Sequence, residues 1–369
     1  MESSFTVIEI ILLIGAVQGF ILSIILFSLK RPNIIPNRLL SAVLFTFSIN
    51  ITMHTLSHGD SFPSIPHHEA VVSLLYFLFG PLLYLYVKSL TSSLLHLQRK
   101  DLIHFLPFAV FFLTSLPFYI ASIGSDKPVL LFKIIPDLVV AHIIIYMILS
   151  VRILYKHSQK IKESYSSIDK INLNWLRFLV SVMIFLWLAA SLADLIPSIP
   201  KDWNYEWLLI AVLMYVIGYA GLKQPEIFTG KPIDENNDEK IPKKKYEKST
   251  LTQEMTVKYL IKLNSLMKDE KPYLKSNLTL PELADKLSVP VHHLSQIINE
   301  QFNQNFFEFI SNYRIEEAKE LIHRPDKQNI NLANIAFESG FNSISSFNAA
   351  FKKIVKMTPS QFRNGKSNQ

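Results

Sequence analysis

Several ionisable side chains lie within long apolar stretches of the sequence, where an acid or an imidazole has few competing partners. Among them are Glu9, Asp137, His142, Asp194 and Glu206, in the outer halves of their stretches. Such groups can hold a cation, a metal or a small polar molecule, and they can carry protons. Most of them lie within a turn or two of the end of their stretch, so solvation at an interface explains them as well. Asp137, His142 and Asp194 are the candidates for sensing a ligand, and Asp137 with His142 is the first pair to test.

Four histidines cluster around the end of the second apolar stretch. His54, His58, His67 and His68 could line a cavity for a cation or a small molecule, or His54 and His58 could lie one turn apart by chance. His68 and Glu69 begin the zinc-protease pattern H-E-x-x-H, but the second histidine is missing. We therefore predict no metal site.

The remaining motifs of catalysis are absent from the sequence. There is no G-x-S-x-G nucleophile elbow and no glycine-rich phosphate loop. The 369 residues include no cysteine, which excludes disulfides and thiolate chemistry. We predict that the protein is not an enzyme and needs no cofactor.

The apolar residues are concentrated before Lys223, in seven stretches of roughly the length that crosses a bilayer. They cover about 5–29, 38–56, 69–90, 102–123, 129–151, 173–196 and 204–222. The sequence thus predicts an all-α protein that begins with a seven-helix membrane domain, residues 1–222, in contact with the lipid bilayer.

The loops between these stretches carry an uneven charge. Twelve lysines and arginines lie in or beside the first, third and fifth loops, whereas the alternate loops hold only Lys127, Lys133 and Lys201. Lysine and arginine are enriched on the cytoplasmic side of membrane helices. This asymmetry predicts an N-terminus outside the membrane and a cytoplasmic location for everything after Lys223.

The sequence becomes polar and charged after the last apolar stretch. Residues 223–250 are rich in charge, Pro and Gly, which is typical of a flexible tether. Residues 251–369 then show the period of amphipathic helices. Thr279 and Glu282 have the spacing of a capping box that opens a short helix. A turn at residues 288–290 and a second helix to Phe302 complete a helix-turn-helix pattern.

The pattern repeats after a long helix at about residues 305–323. Leu332, Ile335 and Ala336 indicate a short helix. Gly340 can adopt the left-handed backbone conformation that ends such a helix, and Ser343 can cap the helix that follows. Residues 278–363, and above all IAFESGFNSISSFNAAFKK followed by TPSQFR, resemble the AraC/XylS type of DNA-binding domain. The resemblance implies two helix-turn-helix units that bind promoter DNA through successive segments of the major groove.

The resemblance also implies which side chains face the DNA. The base-facing residues would be His292, Ser295, Gln296 and Asn299 on the first recognition helix, and Ile344, Ser345, Asn348 and Ala349 on the second. Lys352 and Lys353 would contact phosphates, which position a protein without specifying sequence.

This chain departs from the family pattern at three positions. Pro290 stands where a helix-capping Ser is frequent, Ala349 replaces a frequent Arg, and Lys356 replaces a common Gly. Because Ile344 and Ala349 offer only apolar contact, the second helix could instead serve mainly as a packing element.

Together these features predict a transcriptional regulator embedded in the cytoplasmic membrane of a bacterium. The membrane domain would sense an unknown small-molecule or membrane signal or act as an anchor. The expected partners are double-stranded promoter DNA and RNA polymerase, with a homodimer as the assembly that binds two half-sites. Two alternatives stay open: a seven-helix receptor whose cytoplasmic domain recruits a protein instead of DNA, and a transporter fused to its own regulator.

Overall fold

The computed structural model describes most of the chain, with gaps. The described residues are 6–29, 34–58, 74–92, 98–122, 130–169, 171–193, 204–223, 250–324 and 330–365. Within these ranges the secondary structure is helical, apart from one antiparallel bridge between Tyr165 and Thr279. The predicted tether lies almost wholly outside the described residues, as do His67, His68 and Asp194.

The chain forms two compact units. The N-terminal unit consists of Met1–Lys156 and Leu173–Glu235, and the C-terminal unit consists of His157–Asn172 and Asn236–Gln369. The division differs from the predicted one, because His157–Asn172 was expected to be a loop of the N-terminal domain. Its contacts, described below, are with the helix-turn-helix region.

The N-terminal unit contains seven α-helices in its described part. They are α1 (Val7–Ser28), α2 (Ile34–His58), α3 (Tyr76–Thr91), α4 (Leu106–Ser122), α5 (Leu130–Ser164), α6 (Asn174–Ala193) and α7 (Asn204–Lys223), with a 3₁₀ helix, Arg99–Phe105, before α4. From His157 onwards, the last residues of α5 belong to the C-terminal unit.

Small residues let α1 and α2 approach closely. Gly15, Ala16, Gly19 and Ser23 are buried along one face of α1. Ser23 Oγ donates to Ser41 O at 2.9 Å, and Ser41 Oγ donates back to Ser23 O at 2.8 Å. Small residues and reciprocal polar bonds of this kind are how helices associate where the hydrophobic effect cannot drive them together.

The opposite face of α1 is apolar and exposed. Its large side chains are between 46 and 73% exposed: Val7, Ile10, Ile14, Val17, Ile21 and Ile24. A water-soluble helix bundle would direct such a stripe inward, because exposed apolar area costs about 25 cal/mol per Å² in water. Because Leu12, Ala16 and Leu26 are buried on its other face, α1 is apolar on both faces.

Four described helical segments are long and apolar enough to cross a membrane, judged by length and composition. They are Val7–Ser28, Ile34–Leu56, Arg99–Pro117 and Asp137–Ser164. Asn174–Ala189 and Ala211–Ala220 are shorter apolar helices. Each of the seven predicted stretches overlaps one of helices α1–α7, but a sevenfold membrane crossing stays a prediction.

The C-terminal unit is a set of amphipathic helices. They are α8 (Gln253–Asp269), α9 (Leu280–Leu287), α10 (Val291–Phe302), α11 (Phe306–His323), α12 (Leu332–Glu338), α13 (Ile344–Val355) and α14 (Pro359–Arg363). These bounds confirm the helices predicted from hydrophobic period and capping residues. One core cluster lies around α8–α10 and the start of α11, and a second lies around the end of α11 with α12 and α13.

A buried arginine in α11 ties the two halves of this unit together. Arg314 is 1% exposed and donates through Nε to Tyr273 O at 2.8 Å and through Nη2 to Lys275 O at 2.9 Å. Its guanidinium carbon lies 5.7 Å from the ring centroid of Phe341, at the second helix-turn-helix. Burial lowers the pKa of Arg314 to about 10, so the side chain stays charged at neutral pH.

Gly340 occupies the one turn of the second core where a side chain would collide with backbone. Its φ is +91°, and an added Cβ would lie 2.5 Å from Tyr273 O and 2.9 Å from Leu274 Cα. Gly365 also has a positive φ, +68°, but has nothing within 4 Å of that position. Both glycines have a positive φ, but a side chain would collide with backbone only at Gly340. Comparing substitutions at the two positions therefore distinguishes the cost of backbone strain from the cost of collision.

We expect Gly340→Ala to lower the free energy of unfolding of the C-terminal unit by about 2–4 kcal/mol, from strain and overpacking together. Gly365→Ala, the matched control, should cost no more than about 1–2 kcal/mol because only the strain applies. Hydrogen exchange of the unit's amides in full-length protein measures both. Equal losses for the two variants would contradict the close approach at Gly340.

Arg314→Lys should lower the free energy of unfolding by about 3 kcal/mol or more. One ammonium cannot reproduce the planar fork, and each buried carbonyl left without a donor costs about 1–3 kcal/mol. Arg324→Lys, at an exposed end of α11, should change it by less than about 0.5 kcal/mol. Hydrogen exchange again supplies the measurement, and a loss under 1 kcal/mol for Arg314→Lys (about one carbonyl's cost) would show that the fork is dispensable.

Candidate nucleic-acid interface

The two helix-turn-helix units have the same turn geometry. Ser288 follows α9 with a left-handed φ of +55°, and Val289 N–H donates to Ala284 O at 3.0 Å. In the second unit Gly340 takes the place of Ser288, and Phe341 N–H donates to Ala336 O at 3.0 Å. Both are Schellman motifs. The turn closes in each case on a buried apolar residue, Val289 or Phe341.

The first helix of each pair begins with a side-chain cap. Thr279 Oγ1 accepts from Glu282 N–H at 3.4 Å and Glu282 Oε2 accepts from Thr279 N–H at 3.2 Å, which confirms the predicted capping box. Asn331 caps α12 by accepting from Ala333 N–H at 3.0 Å. Two short helices are thus fixed at their starts, and each leads through its turn into a second helix.

The first recognition helix, α10, presents a partly exposed polar face. His292 is exposed, while Ser295 and Asn299 are half-buried. Asn299 Nδ2 donates to Ser295 O at 2.9 Å, which holds its amide against the helix. Pro290 precedes α10 and provides no side-chain cap. Its side chain cannot accept a hydrogen bond from the N–H groups in the first turn, and N–H groups at a helix N-terminus bind phosphate readily.

The expectation that Gln296 is exposed is wrong. The residue is 8% exposed, and its Nε2 donates to Glu300 Oε1 at 3.0 Å, one turn further along α10. The side chain lies along the helix because the amide finds a partner there. Its role in reading a base stays a prediction. The neighbouring His293 is buried, and that burial together with nearby His292 lowers its pKa.

The second recognition helix, α13, has a clear division between its faces. Ser343 caps it by accepting from Ser346 N–H at 3.1 Å, as predicted. Phe347 and Phe351 are fully buried. The exposed side chains of its outer face are Ile344, Ser345, Asn348 and Ala349, the same residues that were predicted to face bases.

The two lysines predicted to contact phosphates are both exposed. Lys353 Nζ lies 2.7 Å from Glu308 Oε1 on α11, and the hydrogen bond from this lysine lowers the pKa of Glu308. Lys352 lies in the last turn of α13. Lys356, which stands where a glycine is common, has a left-handed φ of +65° at the end of α13, a conformation that favours glycine.

Of the ligand-sensing candidates, the structure describes Asp137 and His142 and does not bring them together. His142 is five positions after Asp137, which is about 140° around a helix, and Asp137 is exposed while His142 is half-buried. The ring of His142 contacts Phe77 and Tyr146, with centroids 5.1 and 4.8 Å away. Asp194 lies outside the described residues. Glu9, another acid of the apolar stretches, caps α1 by accepting from Thr6 N–H at 2.7 Å.

Sequence reasoning missed one cluster of the N-terminal unit. His104 Nδ1 lies 3.0 Å from Tyr146 Oη, and the ring of Tyr84 packs against both. His104 lies at the start of the predicted stretch 102–123, whereas Tyr84 and Tyr146 lie in two other predicted stretches, so no local pattern pointed to the cluster. Among the described residues, no three His, Asp or Glu side chains are grouped as metal ligands.

The family that matches this chain does so within the C-terminal unit. Residues 283–365 match a family described as "Helix-turn-helix domain". An uncharacterised HTH-type transcriptional regulator of Staphylococcus aureus is 31% identical over 102 residues, which are 28% of this chain and 13% of that protein. The uncharacterised HTH-type transcriptional regulator YtdP of Bacillus subtilis is 30% identical over 92 residues, 25% of this chain and 12% of its own.

The chain therefore spans about an eighth of the length of the curated relatives it matches. No solved structure matches it. The matched residues include the second helix-turn-helix entirely and most of the first. Residues 283–365 of this chain are a helix-turn-helix domain.

Proposed function

We propose that this protein is a membrane-embedded transcriptional regulator of the AraC type that binds promoter DNA through α10 and α13. The observation that carries the proposal is the repeated Schellman turn, which holds two recognition helices by the same geometry within residues 283–365. Helix-turn-helix units use that geometry to insert their second helix into a major groove. The names of the relatives, HTH-type transcriptional regulators, support the same activity.

The two faces of the DNA-binding unit differ in what they can recognise. Asn348 and Ser345 on α13 offer hydrogen bonds to base edges, and Ile344 offers an apolar contact to a thymine methyl. His292, Ser295 and Asn299 offer polar groups on α10. Lys352 and Lys353 supply charge for the backbone, and Lys353 must exchange Glu308 for a phosphate to do so.

The exposed apolar face of α1 supports the membrane part of the proposal. An exposed stripe of six large apolar side chains is stable against lipid and unstable against water. Loop charge orients the chain so that the helix-turn-helix domain is cytoplasmic. RNA polymerase and a second copy of the chain are further proposed partners, and the signal sensed by the membrane domain is a small molecule or a state of the membrane.

DNA binding is tested with the full-length protein in lipid nanodiscs and a duplex selected from a random-sequence pool. Asn348→Ala should weaken binding to the selected duplex by about 1–3 kcal/mol with little effect on a scrambled duplex. Lys352→Ala should weaken binding to both and reduce the salt dependence by about one ion. Lys258→Ala, on exposed α8, is the control and should change neither. If no duplex is enriched by the wild-type protein, the receptor that recruits a protein partner becomes the better reading.

The topology is tested with reporters in cells. Green fluorescent protein fused after Gln369 should fluoresce and alkaline phosphatase at the same place should be inactive, because both report a cytoplasmic end. The same pair inserted after Asp126, in a predicted outer loop, should give the opposite result. An active phosphatase after Gln369 would exclude access to the chromosome and with it the regulator.

A further inference from the structure

The segment His157–Asn172 connects two helices of the N-terminal unit in sequence, yet it is built into the C-terminal unit. It follows the body of α5 and precedes α6. Ile161, Ser166 and Ile168 are all buried, at 2, 1 and 8% exposure. A loop between two membrane helices would normally be solvated, so burial of both apolar and polar residues here indicates a specific docking.

Ser166 gives its polar groups to the helix-turn-helix domain. Its N–H donates to Leu278 O at 3.1 Å, its carbonyl accepts from Arg314 Nη1 at 2.9 Å, and its Oγ accepts from Arg314 Nη2 at 3.0 Å. Tyr165 pairs with Thr279 beside it. The segment therefore packs at the start of the first helix-turn-helix. It accepts hydrogen bonds from Arg314, which also donates to the carbonyls of Tyr273 and Lys275.

Asp169 then reaches the second recognition helix. Asp169 lies in a turn that is closed by a hydrogen bond from Asn172 N–H to Ile168 O at 2.8 Å. Asp169 Oδ2 accepts from Ser343 Oγ at 2.6 Å and from Ser346 Oγ. Ser343 is the cap of α13, so the carboxylate lies at the N-terminal end of this helix.

In the proposed complex, DNA would contact this same N-terminal end of α13. The first residues of a recognition helix contact base edges, and a helix N-terminus attracts phosphate. A carboxylate bound there occupies the hydroxyls and repels the phosphates of an approaching duplex. The docked segment and DNA therefore compete for the same end of α13.

We propose that residues 157–172 are an intramolecular inhibitor, with Asp169 masking the N-terminus of α13 until the segment is withdrawn. The inference rests on the proposed DNA binding. The segment is covalently continuous with α5 and α6, so a rearrangement of those helices pulls on it directly. A signal received by the membrane domain thereby reaches the DNA-binding helix without passing through the tether at residues 223–250.

The first test measures DNA affinity of full-length protein in lipid nanodiscs, with a duplex selected from a random-sequence pool. Asp169→Ala should bind about tenfold more tightly than wild type, since two hydrogen bonds to a charged group are removed from the inhibited state. Asp269→Ala is the matched control, because Asp269 is also an exposed acid that accepts from a serine, Ser265, at 2.8 Å. It should change the affinity by less than about twofold.

The second test separates docking from a simple change in charge. The chain has no cysteine, so the pair Asp169→Cys and Ser346→Cys can be joined selectively by a reducible bismaleimide cross-linker. The joined protein should lose DNA binding by at least about tenfold, and reduction of the cross-linker should restore it. Each single-cysteine variant, treated in the same way, should bind DNA throughout.

The outcomes discriminate between the two proposals. Failure of the cysteine pair to cross-link would refute the docked contact itself. Tight binding by the cross-linked protein would show that docking and DNA are compatible, which overturns the inhibitor and leaves DNA binding intact. Absence of DNA binding by every variant, joined or reduced, would overturn the proposed function and the inhibitor with it.

Discussion

The burial of one guanidinium is the constraint on which the C-terminal unit depends. Arg314 cannot be removed from water unless its donors are satisfied, because an unpaired buried charge costs several kcal/mol. The acceptors that satisfy it are backbone carbonyls at Tyr273, Lys275 and Ser276, together with Ser166. The three backbone carbonyls of the domain must therefore stay near one point, and that requirement fixes the entry to the first helix-turn-helix relative to α11.

The two recognition helices inherit their positions from this arrangement. Gly340 packs its Cα face against Tyr273 and Leu274, the same backbone that accepts from Arg314. Phe341, the buried residue of the second turn, lies beneath the guanidinium. The two helix-turn-helix motifs thus meet at the backbone of Tyr273 and Leu274, and displacement of that backbone would disturb both motifs. The 157–172 segment bonds to Arg314 beside it and therefore contacts the region where the two motifs meet.

The parts of this structure that sequence could predict are those that depend on neighbours along the chain. The capping box at Thr279, the cap at Ser343 and the stop at Gly340 follow from local hydrogen-bonding and from φ, and all three are present. Arg314 was missed, although the helix that carries it was predicted at about residues 305–323. Its partners lie about 40 and about 148 residues away, and no local pattern reports carbonyls brought together by folding.

The same limit explains the other differences. Gln296 was placed on the outer face of α10 by analogy, whereas its burial depends on what packs around this particular helix. The 157–172 segment has the composition of a charged loop, and only the tertiary contacts of Ser166 show that it belongs elsewhere. In the N-terminal unit, apolar stretches predicted where helices occur, but not which ionisable residues share a face.

Asp169 contacts two serine hydroxyls, and the strength of these two hydrogen bonds determines how often the contact is formed. A segment attached to its own target experiences an effective concentration in the millimolar range. A tenfold effect on DNA affinity requires this contact to be occupied about nine-tenths of the time. The contact then has an intrinsic dissociation constant about tenfold below the effective concentration, and two hydroxyl donors to one carboxylate give a contact of this moderate strength. Under the proposed inhibition, a small change in the distance between the anchor points of the segment would be enough to alter that occupancy.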